Sequence, residues 1–178
     1  DLLIYLLKGI SVWGQIAREV GVEDTETGDF IAKGLFTTIT NVSFDTESLY
    51  VLGQEALRRR DALRERFESA YRAANGQAFD GAVPEAATWE PKENSVDAWI
   101  GYGAMAGIMA DSDLDEDRRS LRELIVIGLK GVAAYYDHAY VLGKEDPEIV
   151  AFMQEALAAT AEDDPDGGKL LDLVMRTG

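Results

Sequence analysis

Apolar residues recur three and four positions apart along most of the chain, which is the spacing of one face of an α-helix. The first run predicts a helix from about Leu2 to Val20, and Gly21 is placed to end it. A second helix is expected after an acidic loop, ending near Asn41. No segment alternates apolar and polar residues in the manner of a strand. The pattern therefore predicts an all-α fold.

The rest of the chain continues the helical pattern, with one interruption. Asp45 is an N-cap candidate for the longest helix, about 46 to 74, and Ser95 is another for a helix to about 110. Further helices are expected over about 118 to 142, 147 to 161 and 169 to 176. Residues 75–94 are rich in glycine and proline and predict a long loop packed over the bundle. The fold class is thus a helical bundle, or bundles, of about six to seven helices. The expected organisation is a single helical domain, 1–178, with possible subdomains 1–75 and 95–178 joined by this loop.

An internal repeat is the strongest pattern in the chain. A shift of 122 positions superimposes the first predicted hairpin on a later one. The identical residues in the first copy are Leu2, Leu7, Lys8, Gly9, Ala17, Gly21, Glu23, Asp24, Glu26, Phe30, Leu35 and Thr38. We therefore predict an internally duplicated helical hairpin. Gly9 and its match Gly131 lie inside helices, where glycine costs about 1 kcal/mol relative to alanine, so we expect the hairpins to pack on each other there.

Composition excludes several classes of protein. The chain has 33 acidic and 17 basic side chains, a net charge of −16, which disfavours nucleic acid as a partner. It has no cysteine and so no thiolate ligands for a metal cluster. No apolar run approaches the roughly 20 residues that span a bilayer, so no membrane partner is expected and the location is expected to be cytoplasmic. The sequence opens with Asp1 followed directly by apolar residues, which is expected of a fragment of a longer chain.

Candidate metal-binding and catalytic groups are few. The alternating carboxylates of a calcium loop are present, but Glu116 and Arg122 stand where that loop needs glycine and glutamate. The acidic cluster before Gly167 likewise lacks a downstream glutamate, and a solvated turn is expected there. The candidate acidic residues are Asp111, Asp113, Asp115, Asp117, Glu162, Asp163, Asp164 and Asp166.

The single histidine and the tryptophans have structural interpretations as well as functional ones. His138 has no sequence motif beside it that would supply a catalytic or metal-binding partner, so a structural or surface role is favoured. Trp13, Trp89 and Trp99 could line a pocket, although core packing explains them more simply.

Several short strings occur in order along the chain and together resemble one family. They are residues 2–10 (LLIYLLKGI), 35–45 (LFTTITNVSFD), 84–89 (PEAATW), 120–124 (SLREL), 129–131 (LKG) and 138–143 (HAYVLG). With these strings the chain resembles the hybrid cluster protein family, also called the prismane or hydroxylamine reductase family. The nickel-containing carbon monoxide dehydrogenases share the general architecture, but the strings are more similar to those of the hybrid cluster proteins.

The resemblance implies that this chain is one part of a larger enzyme. Family members carry an N-terminal cysteine motif, then a helical domain similar to this one, then two α/β domains that hold a hybrid iron–sulfur–oxygen cluster. No family ligand falls on a residue of this chain, so the resemblance implies no catalytic, cofactor-binding or metal residue and no cofactor here. The full-length protein would carry a 4Fe–4S or 2Fe–2S cluster beside the hybrid cluster and would reduce hydroxylamine or nitric oxide.

The implied role is a helical scaffold whose partners are the missing α/β domains. Exposed apolar surface could also drive self-association. One alternative is a free-standing helical interaction module, for which no large unsatisfied apolar patch is expected. Another is a carboxylate-bridged metal bundle, which a single histidine disfavours.

Overall fold

The computed structural model describes residues 1–40, 45–106 and 115–178, and these form an all-α structure. The helices in chain order are α1 (Leu2–Glu19), α2 (Thr25–Thr40), α3 (Thr46–Asn75), a 3₁₀ helix (Glu85–Ala87), α4 (Val96–Met105), α5 (Glu116–Val141), α6 (Pro147–Ala159) and α7 (Gly167–Thr177). The predicted fold class is confirmed. Helix α4 runs from Val96 to Met105. Residues 107–110, the last part of the helix predicted to end at about residue 110, lie outside the described residues.

Helix α1 lies at the centre of the bundle. It packs against α2, α3, α4, α6 and the 3₁₀ helix. The apolar spacing singles out one face of this helix, yet Leu6, Leu7 and Ile10 are almost wholly buried and even Lys8 and Ser11 are buried. A helix that is apolar on all sides is typical of a buried element.

Aspartate and serine side chains cap the starts of several helices by accepting hydrogen bonds from backbone N–H groups. Asp45 accepts from the Ser48 N–H at 3.0 Å, and Ser95 accepts from Ala98 at 3.3 Å, which confirms both predicted N-caps. Asp115 and Asp166 begin α5 and α7 in the same way. Such caps satisfy the free N–H groups of a first helical turn and are worth about 1 kcal/mol each. Part of the acidic content is therefore explained by helix capping.

The two hairpin turns have the same geometry, 122 residues apart. Gly21 ends α1 at φ 77°, and Gly143 follows α5 at φ 63°. Around the first turn, the N–H of Val22 donates to the carbonyl of Ala17 at 2.9 Å; around the second, Lys144 donates to Ala139 at 2.9 Å. Helix α2 starts at Thr25 and α6 at Pro147, again 122 residues apart.

The hairpins α1–α2 and α5–α6 pack crosswise. Helix α1 packs on α6, and α2 packs on α5, so the first helix of each hairpin contacts the second helix of the other. Near the centre, a Cβ added to Gly28 would lie 2.4 Å from Cγ1 of Val150, the residue 122 positions later. Contact between matched positions is what a twofold arrangement produces. That one hairpin duplicates the other stays a prediction.

The expectation that the hairpins meet at Gly9 and Gly131 is wrong. A Cβ on Gly9 would lie 2.1 Å from the carbonyl oxygen of Ala86, so this glycine admits the backbone of the 3₁₀ helix. Nothing lies within 4 Å of a Cβ on Gly131, which is exposed. The hairpins instead meet closely at Gly28, because Val150 occupies the space that a side chain there would fill.

The segment between α3 and α4 covers α1, as the sequence predicts. The Trp13 indole N–H donates to the Ala87 carbonyl at 2.8 Å, and Tyr5 meets the Trp89 ring edge-on at 6.1 Å between centroids. Phe79 adds a third ring over Phe67. These contacts hold a long, irregular segment on the core.

Candidate functional site

Four of the predicted acidic candidates are used as caps or ion-pair partners. Asp164 pairs with Arg118 at 2.7 Å, and Glu162 pairs with Lys169 at 2.7 Å. Asp115 and Asp166 are the caps described above, whereas Asp111 and Asp113 lie outside the described residues. Within the described ranges, no group of three or more acidic or histidine side chains could hold a metal ion. The cluster at 162–166 forms a charged, ion-paired turn.

His138 lies on the exposed outer side of α5. The matched position in α1 is Ile16, which packs on the core. The structure brings no predicted site residue together with His138, so no acid–base pair is formed around it by the described residues.

The three tryptophans occupy different environments. Trp13 lies in the core against Phe67, and Trp89 packs between Tyr5 and Tyr102. Trp99 lines a cavity with Tyr50, its ring edge-on at 4.9 Å between centroids. Trp13 and Trp99 belong to the buried core and Trp89 packs against it, while Trp99 also forms a wall of the cavity.

That cavity, of about 350 Å³, lies between the start of α1 and helices α3 and α4. Its walls are largely apolar, and Lys130 and Asp1 supply its charges. The Trp99 indole N–H is buried and has no hydrogen-bond partner in the part of the chain that is described. A buried N–H without an acceptor costs about 1–3 kcal/mol. The cavity is therefore a largely apolar space whose charged lining residues are Asp1 and Lys130.

A second concave region, a groove of about 580 Å³, separates the two hairpin turns. The Tyr136 hydroxyl donates to Oδ1 of Asp29 at 2.9 Å across it, linking α5 to α2. Burial, and then this hydrogen bond to a carboxylate, raise the pKa of Tyr136 well above its usual value. A general acid or base works best with a pKa near the operating pH. The Tyr136–Asp29 pair is therefore a structural link between the hairpins.

Three buried cations were not singled out by the sequence analysis. Arg60 contacts Asp61 at 2.7 Å and also Glu90, and it donates to the carbonyl of Trp89. Arg122 donates to the carbonyl of Glu162, and Lys8 to that of Thr160 at 3.4 Å. Arg60 occupies a position of the apolar spacing of α3, and Lys8 lies within the apolar run of α1. A charged residue at such a position was the signal in the sequence that could have identified these two as buried cations. Each cation ties a helix to a loop or to the end of another helix.

No helix in the described ranges is both long and apolar enough to cross a membrane.

Comparison with known proteins gives one consistent result. The family model described as Prismane/CO dehydrogenase family matches residues 1–178. The chain is 47% identical over 178 residues to a hydroxylamine reductase from Halothermothrix orenii, 49% over 179 residues to one from Kosmotoga olearia and 45% over 178 residues to one from Nitratidesulfovibrio vulgaris. The matches cover 100% of this chain but 31% or 32% of those relatives, so the chain spans about a third of their length.

Proposed function

The chain belongs to the Prismane/CO dehydrogenase family, and we propose that it is the helical scaffold domain of a hydroxylamine reductase-like iron–sulfur oxidoreductase. In this role it supports and covers the part of the enzyme that binds the clusters and contributes no catalytic residue of its own. The observation that carries the proposal is the match of the whole chain to hydroxylamine reductases at 47% and 49% identity.

The residues present do not fit an iron–sulfur cluster. Such clusters are held by cysteine thiolates, and the chain has no cysteine. His138 is exposed, Glu162 and Asp164 are engaged in ion pairs, and Asp166 caps α7. No step of a redox reaction is therefore assigned to these residues, and the clusters belong to the rest of the enzyme.

Exposed apolar surface favours the scaffold over a free-standing interaction module. Tyr135, on α5, is 82% exposed, and Leu142, directly after α5, is 60% exposed. A protein that acts alone rarely exposes a continuous apolar face, because such a face promotes association. A domain that packs against the rest of a longer polypeptide needs one.

The test is a chimera. The matching 178 residues of the Halothermothrix orenii hydroxylamine reductase are replaced by this chain, and the isolated chain is purified beside it. Iron content, visible absorbance and hydroxylamine reduction are measured on both, with the unaltered relative as the control. We expect a colourless, inactive isolated chain and a chimera that binds iron and turns over hydroxylamine.

Two outcomes would contradict the proposal. Stoichiometric iron on the isolated chain would show a site built from oxygen and nitrogen ligands, and the carboxylates at 162–166 and His138 would be the first to substitute. A soluble, folded chimera that fails to bind iron would show that this chain does not do the work of the region it replaces.

A further inference from the structure

One side of helix α5 is exposed and almost free of charge. Six positions share this side, at intervals of three and four residues, and each is exposed. They are Leu124, Ile127, Gly131, Tyr135 and His138 on α5 and Leu142 directly after it, and we call them the α5 outer face.

The α5 outer face carries no formal charge, although the chain as a whole is strongly acidic. The chain as a whole carries −16, yet between Leu124 and Leu142 the only formally charged side chains are Lys130 and Asp137. Both are half-buried and, at 100° per residue, lie roughly 100–125° around the helix from the centre of this face. Helix α7 packs on α5 but its last residues meet α5 near Gly128, where Thr177 fills the space of a Cβ at 2.3 Å. The outer face beyond that point is uncovered by the described residues.

The matched side of α1 is covered. Positions 122 residues earlier are Leu2, Tyr5, Gly9, Trp13, Ile16 and Val20, none of them exposed. Trp13 is 2% exposed where its match Tyr135 is 82% exposed. The cover consists of α3 and the 3₁₀ segment, whose backbone comes to 2.1 Å from a Cβ on Gly9. At the matched position on α5, nothing lies within 4 Å of a Cβ on Gly131, so the space that the 3₁₀ segment fills beside Gly9 is empty there.

We propose that the α5 outer face is the surface on which the remaining polypeptide of the full-length enzyme packs, with its backbone against Gly131 and its side chains around Tyr135. This rests on the proposed function. The relatives are about three times as long as this chain, so a covering polypeptide of ample length is present in them. A second copy of the chain is the less favourable occupant, because two copies at −16 repel each other.

The test uses the fact that the chain has no cysteine. Tyr135→Cys is made in the isolated chain and in the hydroxylamine reductase chimera, and maleimide labelling of that residue is followed by peptide mass spectrometry. Ala62→Cys, at an exposed position of α3, is the control. We expect residue 135 to label at least about tenfold more slowly in the chimera, and residue 62 to label equally in both.

Gly131→Ala tests the backbone contact separately. In the isolated chain it raises the midpoint of thermal unfolding by about 2–4 °C, since alanine favours a helix and the space is open. In the chimera, Gly131→Ala lowers the temperature at which activity is lost, because the added methyl group meets the covering backbone. The control Gly101→Ala, also in an open, exposed helical position, has the same sign in both proteins.

The outcomes separate this inference from the proposed function. If the chimera binds iron and is active but residue 135 labels as fast as in the isolated chain, the α5 outer face is not covered and the inference is wrong. Protection of residue 135 in the isolated chain that increases with concentration would assign the face to a second copy and overturn it too. A chimera that folds without iron or activity removes the proposed function, and the inference with it.

Discussion

Gly28 faces its own match: a Cβ on Gly28 would lie 2.4 Å from Cγ1 of Val150, 122 residues further along the chain. The contact lies where hairpin α1–α2 packs on hairpin α5–α6. The close contact also explains why glycine stands at position 28, opposite the branched side chain of Val150.

Gly28→Ala is expected to destabilise the chain by about 1–3 kcal/mol, because the added methyl overpacks a filled contact. This exceeds the gain in helix propensity of about 1 kcal/mol that alanine would otherwise bring. Denaturant unfolding followed by circular dichroism measures the change.

The companion variant is Gly28→Ala combined with Val150→Ala. Removing the two methyl groups of Val150 makes room for the new one, so the double variant should be more stable than the sum of the single effects predicts. Additive effects would show that the two positions do not share this contact.

The elements were predictable from the sequence because their signals are local. Asp45 and Ser95 cap helices as expected, and Gly21 and Gly143 end them at positive φ. The partners of Gly9 were not predictable. A glycine inside a helix indicates a close approach but does not say what approaches, and the answer was the backbone of residue 86, which is distant in sequence.

Gly9→Ala and Gly131→Ala should have opposite effects on the isolated chain. The first places a methyl group 2.1 Å from a backbone oxygen that cannot easily move, so we expect a loss of at least about 3 kcal/mol or failure to fold. The second meets open space and should stabilise by about 1 kcal/mol. Thermal melts of both variants give the answer, and equal signs would show that the two glycines have the same surroundings.

Arg60 is expected to hold the segment between α3 and α4 in place. Its side chain is 2% exposed and donates to the Trp89 carbonyl. Arg60→Met leaves that acceptor unpaired, at a cost of about 1–3 kcal/mol. Trypsin should then cleave faster after Lys92, which lies exposed in the same segment.

Arg58→Met is the matched control, since the Arg58 side chain is 72% exposed. A surface ion pair of this kind contributes less than about 1 kcal/mol, so stability and cleavage after Lys92 should stay near those of the parent chain. Equal effects of the two substitutions would mean that burial of Arg60 is not what anchors the segment.

The chain is expected to unfold as one unit. Helices from its two halves pack together, α1 with α6 and α2 with α5, so we expect neither predicted subdomain, 1–75 or 95–178, to keep its packing without the other. Differential scanning calorimetry should show one transition whose calorimetric and van 't Hoff enthalpies agree. Two resolved transitions would indicate independent subdomains.

The exposed surface of the chain was less predictable from the sequence than its helices. The absence of cysteine alone was enough to exclude a thiolate-bound cluster. The α5 outer face was not visible, because Leu124 and Tyr135 read as ordinary core positions of an apolar helix. Periodicity identifies an apolar side of a helix but not whether this chain or another covers it.

Alkaline pH should weaken the structure through Tyr136. Its pKa is raised in the folded chain, first by burial and then by the hydrogen bond to Asp29. A raised pKa means that the folded state holds the proton more tightly. The stabilisation is therefore complete below the unfolded value of about 10 and is lost as pH rises above it.

Tyr136→Phe removes both the hydrogen bond to Asp29 and this titration, and the adjacent exposed Tyr135→Phe is the control. Urea midpoints measured from pH 8 to pH 11.5 should fall less steeply above about pH 10 for Tyr136→Phe than for the parent chain or the control. At pH 8 the Tyr136→Phe chain should be less stable by about 1 kcal/mol, because the carboxylate of Asp29 loses a donor. If the urea midpoints of all three proteins change in parallel with pH, the protonated Tyr136 hydroxyl does not stabilise the contact between the hairpins.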